Sequence, residues 1–174
     1  MPIINSKRFI LRPFKMGDEG SLAENINNIK IYRNTLSIPY PYTLKDAQEW
    51  VSKNLREAKK KKPSMINFVI DINGEVAGSV GFSKIEEHKA EIGYWLAEKY
   101  WNKGIMTEAV KLATKFGFNK LKLKRIYALV FSFNKALMRV LEKAGYKFEG
   151  ILKKNSKKDG KFIDDYLFAK INKT

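Results

Sequence analysis

The chain has 174 residues, a length typical of one domain, and 44% of them are hydrophobic, which excludes a disordered chain and a disulfide-held miniprotein. Its 34 Lys and Arg against 18 Asp and Glu give a formal net charge of +16, which favours polyanionic partners such as RNA, the ribosome or a phosphorylated cofactor. It has no cysteine and one histidine, His88, which excludes disulfides, a cysteine nucleophile and metal sites built on Cys and His.

The order of predicted elements indicates a single mixed α/β domain over residues 1–174, without linkers or internal repeats. Helices follow from apolar spacing, and strands from short β-rich runs bounded by Pro, Gly or Asn. In chain order the predictions are a strand at 8–13, a helix over 22–29, a helix at 47–60, strands at 66–72, 75–85 and 90–96, a helix at 107–118, a strand at 125–131, a helix from 134 to 145, and strands at 146–153 and 161–170.

Local signals define several element boundaries. Thr43 followed three residues later by Asp46 is typical of a capped helix start. The Asn-Gly pair at 73–74 predicts a tight hairpin turn, because both positions of that turn need positive φ. Asn134 predicts a helix N-cap, and Gly145 predicts the left-handed residue at which the same helix ends.

Residues 1–8 contain no apolar stretch of signal-peptide length, and no run approaches the roughly 20 apolar residues of a membrane span. The sequence therefore predicts a cytoplasmic protein without a membrane partner. Its lysines form several short clusters, at 59–62, 120–125 and 153–161. Each cluster is explained either by a solvated surface or by docking to RNA or the ribosome.

The stretch at 94–109 places a strand, a loop with Gly104 and a helix N-terminus in succession. Unpaired N–H groups and the helix dipole at such a terminus favour a phosphate, and Gly104 lets the backbone approach it closely. Spacing alone is a weak signal, because one glycine between strand and helix is more often a plain turn. Glu108 opposes an anion there unless its carboxylate turns away.

In context, residues 101–106 resemble motif A of the GNAT superfamily of acetyl-CoA-dependent N-acetyltransferases, whose pattern is Gln/Arg-x-x-Gly-x-Gly/Ala. Trp101 and Met106 depart from the first and last positions, and a large Met106 leaves open how closely a pyrophosphate could approach. Within the superfamily the chain resembles the branch of ribosomal-protein N-terminal acetyltransferases that act on serine or alanine. The matching stretches lie at 8–13, 91–96, 107–109, 140–146 and 159–165.

The resemblance implies a three-layer α/β (α+β) fold, in which a mixed, mostly antiparallel sheet of about seven strands carries helices on both faces. The fourth and fifth predicted strands, at 90–96 and 125–131, would splay apart and admit the pantetheine arm of acetyl-CoA. Backbone groups of Leu96, Ala97 and Glu98 would contact pantetheine. The pyrophosphate would be held by Asn102, Lys103, Gly104, Ile105, Met106 and Thr107.

The same resemblance suggests roles for three further groups. Asn134 matches an asparagine that touches the cofactor arm, a role that can coexist with helix capping. A backbone N–H near Leu96, at a bulge of the fourth strand, is the expected donor to the oxyanion that forms when an amine attacks the thioester. Glu91 is the candidate general base, and the alternative is a plain ion pair with a lysine of a neighbouring strand.

The general acid that would protonate the leaving thiolate is not identified by the sequence. The positions at which relatives carry a serine or a tyrosine are Leu137 and Leu141, and neither leucine can donate a proton. Solvent, Ser132, Tyr127 and Tyr146 therefore remain as alternatives.

The acceptor pocket is expected at Tyr40, Pro41 and Tyr42, together with the loop before the seventh strand, although both tyrosines are equally explained by ordinary packing. The first functional hypothesis is a monomeric or homodimeric acetyltransferase acting on a protein N-terminus, such as that of a ribosomal protein. A polyamine-type acetyltransferase, a non-catalytic acyl-CoA sensor and an unrelated RNA-binding protein are the alternatives. The positive charge opposes polyamines unless a local acidic mouth exists, for which the candidates are Glu86, Glu87, Asp164 and Asp165.

Overall fold

The computed structural model describes residues 1–173, which form one eight-stranded sheet and five α-helices. One turn of 3₁₀-helix, Glu98–Tyr100, separates β5 from α4. The elements in chain order are β1 (Ile4–Asn5), β2 (Ile10–Pro13), α1 (Glu19–Ile26), α2 (Ile29–Asn34), α3 (Leu44–Ala58), β3 (Ile66–Ile72), β4 (Glu75–Ser83), β5 (Lys89–Leu96), α4 (Ile105–Asn119), β6 (Arg125–Phe131), α5 (Lys135–Lys143), β7 (Lys147–Lys158) and β8 (Lys161–Ile171).

The sheet is antiparallel except between β5 and β6, and its strand order is β1-β2-β3-β4-β5-β6-β8-β7. The parallel pairing of β5 with β6 covers only three positions, from Lys89 opposite Arg125 to Glu91 opposite Tyr127. Beyond this point β5 stays paired with β4 and β6 stays paired with β8, so the two strands diverge. This gap confirms the predicted splay between 90–96 and 125–131.

Helices cover both faces of the sheet, as the fold class predicted. On one face α4 and α5 pack against alternate residues of the central strands, including Phe68, Phe82 and Ile126, all fully buried. On the other face α1, α2 and α3 enclose a second apolar cluster that contains Leu22 and Val69. This second cluster contains no residue of β6 or β8, the strands on the far side of the gap.

The structure confirms three element boundaries that the sequence predicted from neighbouring residues. Thr43 and Asp46 form a reciprocal capping box, and α3 begins at once after Thr43 instead of at residue 47. The Asn-Gly turn at 73–74 has positive φ at both positions, 55° and 87°. Gly145 has φ 85° directly after the Ala144 that follows α5.

One prediction about the helices was wrong. The helix expected over 22–29 is two helices, because Asn28 is extended and caps α2 by accepting a hydrogen bond from the Lys30 N–H. The sheet, expected with about seven strands, has eight, because the two-residue strand β1 pairs with β2. A strand that short has no alternation by which a pattern could detect it.

A buried ion cluster joins β2, β3 and the start of α1. The Arg12 guanidinium donates to both carboxylate oxygens of Asp18 at 2.8 Å and to Asp71 at 2.6 Å. All three residues are buried, and Asp71 also accepts the Gly74 N–H of the hairpin turn. Removing one partner would leave a buried charge uncompensated, so this cluster holds the strands to the helix layer.

No helix in the described part of the chain is long and apolar enough to cross a membrane. Among residues 1–173, no three His, Cys, Asp or Glu side chains come together in a way that could hold a metal ion.

Candidate functional site

The N-terminus of α4 is an uncapped helix end beside the gap. Gly104 is its N-cap residue, with φ 73°, and therefore offers no capping side chain. The first intrahelical bond runs from the Glu108 N–H to the Gly104 carbonyl, so the N–H groups of Ile105, Met106 and Thr107 lack a partner within the helix. Unpaired N–H groups at the positive end of a 15-residue helix form an anion site.

Glu108, the acidic residue in the first turn of α4, is turned away and neutralised. Its carboxylate accepts hydrogen bonds from the Ser6 hydroxyl at 2.6 Å and from the Arg8 guanidinium at 2.5 and 3.2 Å. These contacts, led by the one from Ser6, lower the pKa of Glu108. Arg8 also donates to the Lys103 carbonyl, in the loop before the helix. The expected obstacle to anion binding is therefore paired with a cation.

The two departures from the family pattern are accommodated by the fold. Met106 is 7% exposed and packs into the core beneath α4, so its side chain does not occupy the helix end. The Trp101 indole N–H donates to the Leu96 carbonyl at 2.7 Å. Trp101 thus ties the loop after β5 to the end of that strand.

The end of β5 directs one backbone donor into the gap. The Ala97 N–H donates to the Ala77 carbonyl of β4 at 2.8 Å, so by the alternation of an antiparallel ladder the Leu96 N–H faces away from β4. The pairing with β4 runs without a register shift from Glu91 opposite Ser83 to Leu96 opposite Gly78. The expected bulge is thus absent from this paired segment, and it is the divergence of β6 that leaves the Leu96 N–H without a strand partner.

The other two residues expected to contact pantetheine are engaged within the protein. The Ala97 carbonyl accepts the Tyr100 N–H at 2.9 Å, in addition to the bond that its own N–H donates to β4. The Glu98 carboxylate forms an ion pair with Lys30 and accepts from the Asn28 amide at 2.7 Å. Leu96 has a backbone donor directed into the gap, and the backbone contacts of Ala97 and Glu98 with pantetheine stay predictions.

Asn134 lies on the β6 side of the gap, and only one of its two side-chain polar atoms has a hydrogen-bond partner among the described residues. Its Oδ1 accepts the Leu137 N–H at 3.1 Å, which confirms the N-cap prediction. Its Nδ2 is buried without a hydrogen-bond partner among the described residues, and the residue is 4% exposed. A buried amide donor of this kind is costly unless another molecule accepts from it. The arrangement is compatible with both roles that the sequence left open.

Glu91 stands at the last paired position before β5 and β6 diverge. Its carboxylate forms a 2.7 Å ion pair with the ammonium group of Lys84, in the loop after β4. The side chain of Glu91 is 21% exposed and that of Lys84 is 63% exposed. The contact with Glu91 raises the pKa of Lys84. The structure thus contains the ion pair that the sequence offered as the alternative to a catalytic role.

The alternatives for a general acid differ in accessibility. Tyr146 is buried, its hydroxyl lies 2.7 Å from that of Thr114, and burial raises its pKa. Tyr127 faces Glu91 across the strands, and its pKa is raised mainly by burial. Ser132 is partly exposed after β6, with its N–H donated to the Asp164 carbonyl. None of these hydroxyl groups combines an open position with a lowered pKa.

The two tyrosines expected to line the acceptor pocket have different environments. Tyr42 belongs to the core under α1 to α3, where burial raises its pKa to about 12, so its packing is structural. Tyr40 is 47% exposed and lies 6.0 Å from the Tyr32 ring of α2. The Tyr32 hydroxyl donates to Asp159 at the turn between β7 and β8. Of the expected pair, Tyr40 remains at the surface next to the hairpin.

Three of the four candidates for an acidic mouth have local partners. Asp164 pairs with Lys153 at 2.9 Å, and Glu86 pairs with Lys89 at 3.3 Å. Asp165 is 1% exposed and accepts from Ser156 at 2.6 Å. The fourth, Glu87, is exposed and forms no salt bridge within the described chain. The three partnered carboxylates therefore do not form an open acidic cluster for a polycation.

Sequence reasoning missed three residues that border the site. Arg8 and Glu108 are 100 positions apart, so no local pattern links them. Lys84 lies in a loop whose direction depends on the hairpin before it. Tyr94 donates from its hydroxyl to the Leu137 carbonyl at 3.2 Å, which ties β5 to α5 on the α4 and α5 side of the sheet. The sequence shows only that these residues are charged or aromatic, and neither property identifies which residue each one contacts.

Comparisons with known proteins agree with this geometry. The sequence profile of the acetyltransferase (GNAT) domain matches residues 8–147. The probable N-acetyltransferase YjcK of Bacillus subtilis (strain 168) is 31% identical, over 98% of this chain and 97% of its own length. Spermidine N(1)-acetyltransferase of Escherichia coli (strain K12) is 28% identical, over 87% of this chain and 78% of its own length. The structure of RimL, a ribosomal α-N-protein acetyltransferase in complex with coenzyme A, has a TM-score of 0.88 over 98% of both chains at 23% identity, which shows a shared fold.

Proposed function

The chain belongs to the GNAT family of acetyltransferases and is an acetyl-CoA-dependent N-acetyltransferase, and from this premise we propose that its acceptor is the α-amino group of a protein N-terminus. The observation that carries the proposal is the Glu91–Lys84 ion pair, set where β5 and β6 diverge. It sets a positive charge beside the candidate base, and that charge disfavours a polycationic acceptor.

The residues around the gap fit acetyl-CoA. Three N–H groups at the start of α4 are open to a pyrophosphate, and Asn134 Nδ2 is a buried donor without a partner. Acetyl-CoA supplies the acetyl group as an activated thioester. We assign the loop and first turn to its pyrophosphate and the gap between β5 and β6 to its pantetheine arm. The assigned residues are Leu96, Asn102, Lys103, Gly104, Ile105, Met106, Thr107 and Asn134.

The chemistry then needs little from side chains. The Leu96 N–H donates a hydrogen bond to the oxygen that gains negative charge when the amine attacks the carbonyl carbon. Glu91 accepts the proton that the amine loses, directly or through a water molecule. The thiolate leaves without a dedicated acid, since a thiol has an ordinary pKa of about 8.5 and is a tolerable leaving group.

The fraction of neutral amine at physiological pH favours an α-amino group over an alkylamine. An α-amino group has a pKa of about 7.7–8.0, so at pH 7.5 roughly a third of it is already neutral. A lysine-type or polyamine amine has a pKa of about 10.4 and is neutral in about one molecule in a thousand at that pH. The Lys84 ammonium and the net charge of +16 further oppose a polycation.

A release assay tests the acceptor class. Thiol release from acetyl-CoA is followed with peptides that begin with Ser, Ala or Met, with the same peptides blocked at the α-amino group but carrying an internal lysine, and with spermidine. We expect release only with free α-amino groups, and mass spectrometry of the product locates the acetyl group. Release with blocked peptides or spermidine and not with free N-termini would overturn the proposal. Binding of acetyl-CoA without release for any acceptor would overturn it as well.

A further inference from the structure

The β7–β8 hairpin borders the face on which Glu91 lies, and it is strongly basic at its tip. Residues 153–164 contain five lysines and two aspartates, a net charge of +3. Both aspartates are already engaged, Asp159 by the Tyr32 hydroxyl and Asp164 by Lys153. The positive charge of this segment is therefore not cancelled within the hairpin.

Two of these lysines lie on the Glu91 side of the sheet. Glu91 is opposite Tyr127, which is opposite Ala169 of β8, so these three side chains share a face. Alternation along β8 from Ala169 places Lys161 on the same face, and Lys158 is its partner across the hairpin. No salt bridge in the described chain involves Lys158 or Lys161.

The position of Lys158 shows that this face meets the helix layer. Its ammonium group lies 3.7 Å from the centre of the Tyr32 ring of α2, a cation–π contact. Burial lowers the pKa of Lys158, which is opposed only by the attraction of Asp159. The same helix carries Lys30 and Arg33 and no acidic residue. The entrance between α2 and the hairpin tip therefore has basic residues on both sides.

The spacing along β8 relates these lysines to Glu91. Glu91 is level with Ala169, because both residues lie opposite Tyr127 of β6. Lys161 lies eight residues from Ala169, or about 26 Å at roughly 3.3 Å per residue. An extended peptide covers about 3.3–3.6 Å per residue, so a chain whose first amine reaches Glu91 would bring its seventh to ninth residues to Lys158 and Lys161.

On the basis of the proposed α-amino acceptor, we propose that the preferred substrates are protein N-termini with acidic side chains at positions seven to nine, recognised by Lys158 and Lys161. The charge on the entrance selects these N-termini by complementarity. The carboxylates of the peptide contact the hairpin while its neutral amine reaches Glu91. Basic N-termini are repelled by the same groups.

The test compares peptides that share their first six residues, beginning Ser-Ala, and differ only at positions seven to nine, which are Glu, Gln or Lys. At low ionic strength we expect kcat/KM for the Glu peptide to exceed that for the Gln peptide about tenfold, mainly through KM, and the Lys peptide to be the poorest. Raising the salt to about 0.5 M should shrink the difference, because exposed charges are screened.

Matched variants locate the effect. Lys161→Glu should abolish or reverse the preference, whereas Lys62→Glu makes the same charge change in the loop after α3 and should leave it intact. Both variants should bind coenzyme A as the parent chain does. Equal rates with the three peptides, or equal loss in both variants, would overturn the acidic preference while leaving the α-amino acceptor standing. Release with spermidine and with none of the peptides would instead overturn the proposed function.

Discussion

The Arg8–Glu108 pair gives the sharpest prediction about cofactor binding. Arg8→Met removes the guanidinium that neutralises Glu108 in the first turn of α4. For a phosphate bound in the first turn of α4, we take a separation of about 6 Å from Glu108 and an effective dielectric constant of about 60, which give about 0.9 kcal/mol of repulsion per phosphate charge. Both side chains are more than a third exposed, so solvent and salt roughly halve this value. For two phosphate charges the loss is about 1 kcal/mol, or about a fivefold weaker Kd.

Calorimetric titration with coenzyme A measures this loss. We expect the Arg8→Met variant to bind about fivefold more weakly, and the double variant with Glu108→Gln to return to within about twofold of the parent chain, because the unbalanced charge is gone. Pantetheine, which lacks the pyrophosphate, should bind all three proteins equally. If the double variant stays as weak as Arg8→Met, the contact between Arg8 and the Lys103 carbonyl is what matters, and the electrostatic reasoning is refuted.

Three other changes separate catalysis, cofactor binding and stability. Glu91→Gln should lower kcat/KM at least tenfold across pH, measured by thiol release, while the limb set by protonation of the acceptor amine remains; a kcat/KM unchanged across pH would exclude Glu91 as the base. Asn134→Ser keeps a capping oxygen but removes Nδ2, so the Kd for acetyl-CoA should rise about three- to tenfold in calorimetry with little change in Tm. Asp71→Asn leaves buried Arg12 short of one partner and should cost about 3 kcal/mol in denaturant unfolding, whereas Glu75→Gln, at an exposed ion pair, should cost less than about 1 kcal/mol.

The parts of the fold that the sequence predicted are those determined by neighbouring residues. The Thr43 capping box, the Asn-Gly turn at 73–74 and the Asn134 cap each depend on atoms within three or four positions. The break at Asn28 was missed although it is also local, because the spacing of Leu22, Ile26 and Ile29 continues across it. Apolar periodicity describes which side is buried and does not record a change of helix direction.

The parts of the site that could not be predicted depend on contacts across the fold. The carboxylate of Glu108 turns away because Ser6 and Arg8 arrive from the strand edge about a hundred residues earlier. Lys84 reaches Glu91 because the loop after β4 returns beside β5. The sequence left open whether the large Met106 side chain would block a pyrophosphate. The side chain is buried in the core instead, because its direction depends on its position around the helix axis.

The divergence of β5 and β6 supplies the proposed oxyanion donor without any side chain. A donor supplied by the Leu96 backbone is present whatever side chain occupies that position, as long as β4 holds one edge of β5 and β6 leaves the other. Leu137 and Leu141 pack α5 against the sheet, where Leu141 is fully buried. The Leu137 carbonyl also accepts the Tyr94 hydroxyl, so the same helix turn helps to hold the far side of the gap in place. In the proposed mechanism the oxyanion donor depends on strand geometry, and we expect substitutions that close the gap to be more harmful than substitutions at the hydroxyl groups around it.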